Sequence, residues 1–222
     1  MDYCRNEKLR KLRENTPTIF APNCWGGLTY HHLGLEFCSP LINMHIPHDE
    51  YLRFLRDPKY YMSQELVLRQ MYIDDSLERP FPVAMMGDVS LWMNHYTDFD
   101  EARDIWERRK ERIKWDNLFV MFFDETPELV EQFLELKYDK KVCFVPWETD
   151  TKGLIPVPYR KYAQLKRYPF WEIVNNLALG DFILYDDVEL LHDCRYVKIG
   201  DILRDNQIVS KYQGDTKRDT EK

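Results

Sequence analysis

The run L-F-V-M-F-F, Leu118 to Phe123, is the feature that most restricts the fold. Six apolar residues in succession offer no polar face to water, so a strand made of them is buried on both sides. Helices packed over a parallel sheet provide that environment. The flanks agree. Trp115-Asp116-Asn117 reads as a turn before the run. Thr126-Pro127-Glu128 starts a helix to about Leu136, with proline in the first turn where its missing N–H costs nothing. Lys141 to Val145 is a further apolar strand.

The alternation continues upstream. Residues 5–14 read as a short basic helix and Thr18 to Pro22 as a first strand. Leu28 to Leu35 reads as a helix with Gly34 near its end. Leu41 to Ile46 is a second short strand candidate. Pro47 opens a helix that Asp49 can cap, with Tyr51, Leu52, Phe54 and Leu55 as its apolar stripe. A helical turn or two covers Met62 to Arg69. After Pro80 and Pro82, Val83–Met86 and Val89–Tyr96 flank Gly87-Asp88, a glycine-first hairpin signal. Asp98 to Glu101 has capping-box spacing and starts a helix to about Ile113.

The expected fold class is therefore α/β: a single three-layer α/β/α domain with a mainly parallel, Rossmann-like sheet and a β-hairpin insertion. The expected divisions are an N-terminal basic helix (1–17), the core domain (18–150), a C-terminal extension packed on the core (151–210) and a disordered polar tail (211–222). Within the extension, Phe170 to Leu179 reads as a helix, and 181–185 and 197–199 as edge strands. With 44% hydrophobic and 14% aromatic residues in 222, a sizeable core can form.

Charge and cysteine usage narrow the function classes. A net charge of −7 argues against a nucleic-acid partner. The five cysteines are an odd number and form no C-x-x-C pair, which favours free thiols in a reducing compartment. The N-terminus has no apolar core of a signal peptide, and no run of 18 apolar residues occurs, so a cytoplasmic protein is expected. The basic, tyrosine-rich zone Lys152 to Trp171 reads either as ordinary surface or as a contact for a phosphate-bearing ligand or the anionic inner face of the cell membrane.

Chemistry concentrates in N-C-W-G-G-L-T-Y-H-H-L-G, Asn23 to Gly34. Cys24 stands where the first strand should hand over to a helix. A helix N-terminus carries partial positive charge and free N–H groups, which stabilise a thiolate and lower a cysteine pKa. Gly26 and Gly27 would let a carbonyl or phosphate approach backbone amides that act as an oxyanion site. His31 lies seven residues on, about 10 Å along a continuous helix, too far for a general base, which needs ~3 Å, unless Gly26-Gly27 delays the helix and folds the loop back. Histidines from other strand ends are better placed: His95 first, then His45 and His48. Asp88 either orients His95 or is a turn residue only. A zinc site from Cys24, His45 and His48 meets no standard spacing, so no metal is expected. The remaining reading of Cys24 is an inert buried thiol.

The longer pattern N-C-W-G-G-x-x-Y-H-H-L-G-L-x-F-x-S-P-x-I-N, Asn23 to Asn43, resembles the hallmark of a bacterial family, domain of unknown function nineteen-nineteen. P-V-x-x-x-G-D-V from Pro82, N-H-Y from Asn94 and E-A-R-D-I-W-E-R-R-K-E-R-I-K-W-D-N-L-F-V from Glu101 extend the resemblance over residues 15–150. Members are usually labelled exopolysaccharide biosynthesis proteins, some with an acyltransferase label. The Asn-Cys corner also resembles that of some capsule-biosynthesis acetyltransferases. The resemblance implies surface-polysaccharide assembly; taken with the Cys24 corner and the free thiols, it leads to the expectation of a transferase moving an acyl group from coenzyme A or acetyl-coenzyme A to the hydroxyl of a free or lipid-linked saccharide. Cys24 would be nucleophile, His95 base and Asp88 its orienter. Asn23, Gly26 and Gly27 would shape the oxyanion site, and Trp25, Tyr30, His31, His32, Asn43, His45 and His48 the substrate pocket. Two alternatives stand beside it. One is a glycosyl- or sugar-phosphate transferase binding a nucleotide diphosphate at the glycine corner. The other is a non-enzymatic subunit of the assembly machinery.

Overall fold

The computed structural model describes residues 2–73, 79–161 and 165–177. In chain order its elements are α1 (Asp2–Glu14), β1 (Thr18–Phe20), α2 (Trp25–Leu33), α3 (His48–Arg56), α4 (Pro58–Ser63), β2 (Leu66–Tyr72), β3 (Phe81–Met86), β4 (Val89–Trp92), α5 (Phe99–Lys110), β5 (Leu118–Phe123), α6 (Pro127–Glu135), β6 (Lys141–Val145), β7 (Leu154–Pro156) and α7 (Phe170–Leu177), with one turn of 3₁₀ helix at Tyr159–Lys161.

A four-stranded parallel sheet runs in the order β1-β5-β6-β7. Its side chains alternate between two cores, as strand geometry requires. Phe119, Met121, Phe123, Val142, Phe144 and Ile155 point to one face, where α2 brings Trp25 and Tyr30 and α7 brings Phe170, Ile173 and Val174. Val120, Phe122, Cys143, Val145 and Leu154 point to the other, where α3 brings Tyr51 and Phe54, α5 brings Trp106 and α6 brings Phe133. The expected three layers are present, and the L-F-V-M-F-F run is buried on both faces.

The second core is extended by an antiparallel sheet, β2-β3-β4, which contributes Ala84, Met86, Val89 and Leu91. The β3–β4 hairpin is the expected one. Gly87 takes the positive φ of 63° that the first turn position needs. The third strand was not expected: Leu66–Tyr72 pairs with β3 along its length instead of continuing a helix. α4 stops at Ser63, and Gln64 turns extended (ψ 149°). β2 lies at the sheet edge with Val67, Leu68 and Met71 exposed.

Three other expectations shift. α2 starts at Trp25, three residues early, so Cys24 becomes its N-cap. The strand expected over Leu41–Ile46 reduces to one bridged pair, His45 with Trp92. α3 is entered from Pro47, which leaves Asp49 in the first turn and His48 at the first helical position. The extension also joins the fold more closely than a packed-on segment: β7 hydrogen-bonds β6, and α7 packs against α2. The expected edge strands at 181–185 and 197–199 and the tail at 211–222 lie outside the described residues. Among the described residues no helix is long and apolar enough to cross a membrane.

Candidate functional site

β1 and β5 are neighbours and parallel, so the chain leaves both at the same edge of the sheet. In open α/β sheets ligands bind outside the carboxyl ends of the strands. Here Asn23-Cys24 follows β1 and Asp124-Glu125-Thr126 follows β5, and all five line one cavity of about 660 Å³. That size suits a small-molecule site.

Backbone hydrogen bonds deliver the histidines. His45 exchanges two bonds with Trp92 at the end of β4, each 2.8 Å, and the Ile46 N–H donates to the Pro22 carbonyl at 2.9 Å. The segment is thereby stitched between the antiparallel sheet and the exit of β1. The chain then turns after β4, closed by the Tyr96 N–H donating to the Met93 carbonyl at 2.9 Å. Within this turn His95 meets Cys24, with Nε2 3.3 Å from Sγ. The two residues are 71 apart in sequence.

The electrostatics of this pair differ from the expected thiolate. Cys24 caps α2 only through its backbone. Its φ and ψ of −67° and −7° are already helical, and its side chain makes no cap hydrogen bond. Burial instead pushes the thiol up from 9.0 to about 11. Loss of hydration, and then the Arg79 charge, hold His95 below the usual histidine value. His95 is exposed as a residue, yet protein crowds the ring enough to favour its uncharged form. Both shifts favour a neutral thiol beside a neutral imidazole.

Asp88 is not brought to His95. It sits in the hairpin turn, at the other end of β4. There its carboxylate accepts from the Tyr61 hydroxyl at 2.9 Å and from Arg53 at 3.0 Å. The turn reading of Asp88 is the one its surroundings support.

A second pair lies in the cavity wall. His48 Nδ1 is 2.5 Å from Asp124 Oδ2. The other carboxylate oxygen, Oδ1, accepts the Thr126 N–H at 2.6 Å. Burial works against the Asp124 charge, but the hydrogen bonds from His48 and Thr126 outweigh it and lower the pKa. The His48 ring stands edge-on to Phe123 and Phe122, at 4.6 and 5.2 Å between centroids. Neighbouring His45 lies with Nδ1 3.2 Å from the Pro22 carbonyl. Burial, and then the nearness of His48, hold it at about 4. Its imidazole is neutral at physiological pH.

Three amide atoms on the wall are buried and without a hydrogen-bond partner among the described residues: Asn23 Nδ2, Asn94 Oδ1 and Asn175 Oδ1. Unsatisfied buried polar atoms are costly, typically about 1–3 kcal/mol each, so a polar ligand that met them would recover that loss. Trp92 and the half-exposed Trp171 add aromatic surface to the same cavity.

Of the remaining expected site residues, several are architecture. Trp25 is fully buried and stacks on Phe119 at 6.1 Å. The Tyr30 hydroxyl is a buried strut, accepting from the Ile19 N–H and donating to the Pro17 carbonyl, both at 2.8 Å. A Cβ on Gly26 would lie 3.2 Å from Ile19 Cγ2, and one on Gly27 3.0 Å from Ile42 Cγ2. These glycines let α2 approach β1 and the 40s loop, rather than opening space for a ligand. His31 and His32 are exposed on α2, and neither they nor Asn43 line the cavity. Asn43 occupies a left-handed turn at φ 63°, a conformation asparagine tolerates. Missed by sequence reasoning were Asp124, Asn94, Trp92, Trp171 and Asn175. For Asp124 a signal existed: it is the first polar residue after the apolar run, at a strand's carboxyl end. Among the described residues no group of three or more His, Cys, Asp or Glu could hold a metal ion.

Fold and site together define an α/β sandwich carrying a thiol–imidazole pair and a carboxylate–imidazole pair over one cavity. The family model described as "Domain of unknown function (DUF1919)" matches residues 2–186, and the chain belongs to that family. The match runs well past residue 150, so the segment that supplies β7 and α7 is part of the family domain. A Haemophilus influenzae protein named "Uncharacterized protein" is 32% identical over 138 residues, covering 61% of this chain and 64% of its own length. The chain thus spans less than two thirds of that relative.

Proposed function

We propose that the protein is an acyltransferase of surface or exopolysaccharide biosynthesis, using Cys24 as nucleophile and His95 as its base. The observation that carries the reading is the 3.3 Å approach of Sγ to Nε2 at the wall of a cavity of about 660 Å³. The donor is a coenzyme A thioester and the acceptor a sugar hydroxyl. Among the described residues no Lys or Arg lines the cavity, which suits the thioester and neutral arm of the donor, with the phosphates outside. The unpartnered asparagine atoms and two tryptophans suit a polyhydroxylated acceptor, whose hydroxyls seek amides and whose apolar face seeks aromatic surface.

The chemistry follows from the neutral pair. Sγ attacks the thioester carbonyl as its proton passes to His95 Nε2, so a carbon–sulfur bond forms without a standing thiolate. Asn23 Nδ2, a buried donor without a partner beside the nucleophile, is suited to the oxyanion. Collapse breaks the bond to the coenzyme A sulfur, which leaves with the proton from His95. The acyl group rests on Cys24 until a hydroxyl displaces it.

The exposed loop before α7 would face a lipid-linked acceptor. Its basic character is partly spent within the protein: Arg160 pairs with Glu125, and Lys161 with Glu148 at 2.6 Å. Among the described residues, Lys166 and Arg167 of that loop and Trp171 of α7 are exposed and would face a membrane surface, Arg167 donating to the Tyr168 hydroxyl at 2.7 Å.

Intact-mass and peptide spectrometry after mixing with acetyl-coenzyme A tests the reading. An acetyl adduct on Cys24 is expected, absent in Cys24→Ala and formed about 10²–10⁴-fold more slowly in His95→Ala, the usual contribution of a general base. A protein that transfers acetyl groups normally with Cys24→Ala sinks the mechanism.

A further inference from the structure

Resting on the acyl-transfer reading, we propose that His48 is a second base, which takes the proton from the acceptor hydroxyl, and that Asp124 is its positioning residue. The two steps of the reaction would then use two different imidazoles, His95 to load Cys24 and His48 to unload it.

Geometry separates the two histidines. His95 reaches the sulfur from the exposed turn after β4 and does not line the cavity. His48 does line it, from the first turn of α3. A hydroxyl bound within the cavity therefore meets His48. The Asp124 carboxylate can only accept, so the hydrogen of the 2.5 Å contact sits on His48 Nδ1. In the neutral imidazole that leaves Nε2 with its lone pair, the form a base needs. Asp124 is itself fixed through Oδ1 by the Thr126 N–H, and Phe122 and Phe123 hold the ring edge-on. The same anion stabilises the imidazolium once His48 has taken a proton. His45, the other imidazole on the cavity wall among the described residues, has no carboxylate partner among them. Its Nδ1 faces the Pro22 carbonyl, and burial keeps it a weak base.

The step balances without a further reactant. The acceptor oxygen attacks the acyl carbon of acyl-Cys24, and its proton passes to His48 Nε2. The carbon–sulfur bond breaks and the ester forms. The released sulfur, whose protonated form burial favours, takes a proton from solvent by way of the exposed His95. His48 returns its proton to solvent as product leaves.

Asp124→Asn discriminates catalysis from structure. Asparagine keeps the shape and can still accept from Thr126, but its NH₂ group faces Nδ1 and forces the hydrogen onto Nε2. The base is then lost with the architecture intact. The two half-reactions are measured separately on the full chain. Loading of Cys24 by acetyl-coenzyme A is followed by mass. Unloading is followed on pre-acetylated protein mixed with a panel of methyl glycosides. His48→Gln and Asp124→Asn are expected to load at the wild-type rate and to transfer about 10²–10⁴-fold more slowly, so that acetyl-Cys24 accumulates. The nitrogen-15 shift of Nε2 in wild type should be that of a lone-pair nitrogen, and in Asp124→Asn that of a protonated one, whatever the stability of either protein. Equal slowing of both half-reactions, normal transfer in either variant, or a wild-type Nε2 that carries the hydrogen overturns the proposal. If wild type itself never loads Cys24, the acyl-transfer reading falls and takes this one with it, and the missing adduct tells the two failures apart.

Discussion

Cys24 shows how one residue's position can be legible while its charge state is not. The sequence places it after the first strand, and the pairing with His95 follows from strand ends converging at one sheet edge. The pKa does not follow, because two effects oppose each other there. A helix N-terminus lowers a thiol and burial raises it, and how far the corner is buried depends on residues distant in the chain. The structure has burial winning, at about 11. Alkylation of Cys24 by iodoacetamide should therefore accelerate steadily above pH 9, with no plateau near the ordinary value of 9.0. Stability should respond with the same sign. A group raised on folding contributes fully below its unfolded pKa and loses that contribution as pH climbs toward the folded value. For Cys24 the window is 9.0 to about 11. His45 works in the opposite direction: lowered from 6.5 to about 4, its contribution is present above 6.5 and lost as pH falls toward 4. The melting temperature should thus fall on both flanks. His45→Asn should flatten the acid flank, and an unchanged flank would show that His45 is not held neutral by burial.

At the scale of elements, packing decided where pattern misled. Met62 to Arg69 is rich in residues that favour helices, yet half of it becomes β2. What makes it a strand is its partner, the pairing of Leu66 with Met86 through Tyr72 with Phe81, with one register shift between Leu68 and Gln70, which no local propensity encodes. Leu41–Ile46 fails in the other direction, because only His45 finds a bridging partner. The glycine pair of α2 is the clearest case of a motif misassigned. Gly26 and Gly27 suggested open space for a ligand, but their absent side chains are filled by Ile19 and Ile42. Gly27→Ala should cost about 1–3 kcal/mol, the usual penalty of overpacking, because its Cβ would stand 3.0 Å from the branched Ile42 Cγ2. Ile42→Val keeps both γ carbons, the close Cγ2 included, so Ile42→Ala is the sharper partner. It removes the clash, and the double variant should lose less than the sum of the singles in a urea-melt cycle. Additive losses would mean that the Ile42 contact is not what excludes a side chain at position 27.

Across the whole molecule, the two-faced sheet was the most legible feature and its last strand the least. A fully apolar run implies cover on both sides, but not which distant segment supplies it. That cover is completed late in the chain. Phe170 of α7 stacks on Tyr159 at 5.5 Å and meets Phe123 edge-on at 5.9 Å, while Phe170, Trp171 and Asn175 line the cavity. β7 and α7 with the 3₁₀ turn between them therefore close both the first core and the site, which ties stability to function. Phe170→Ala should lower the unfolding free energy by about 3–5 kcal/mol, as large-to-small changes at buried aromatics do. Trp171→Ala, at a half-exposed position, should leave it within about 0.5 kcal/mol. Both should weaken acceptor binding in a transfer assay, the first by disturbing the wall and the second by removing an aromatic surface. A chain ending at residue 150 would lose β7, α7 and that wall together. It should bind a hydrophobic dye and lack near-ultraviolet circular dichroism, the behaviour of a collapsed chain without fixed packing. If it instead gave a sharp melt and native aromatic dichroism, the first 150 residues would be an independent unit and the late segment a detachable cover.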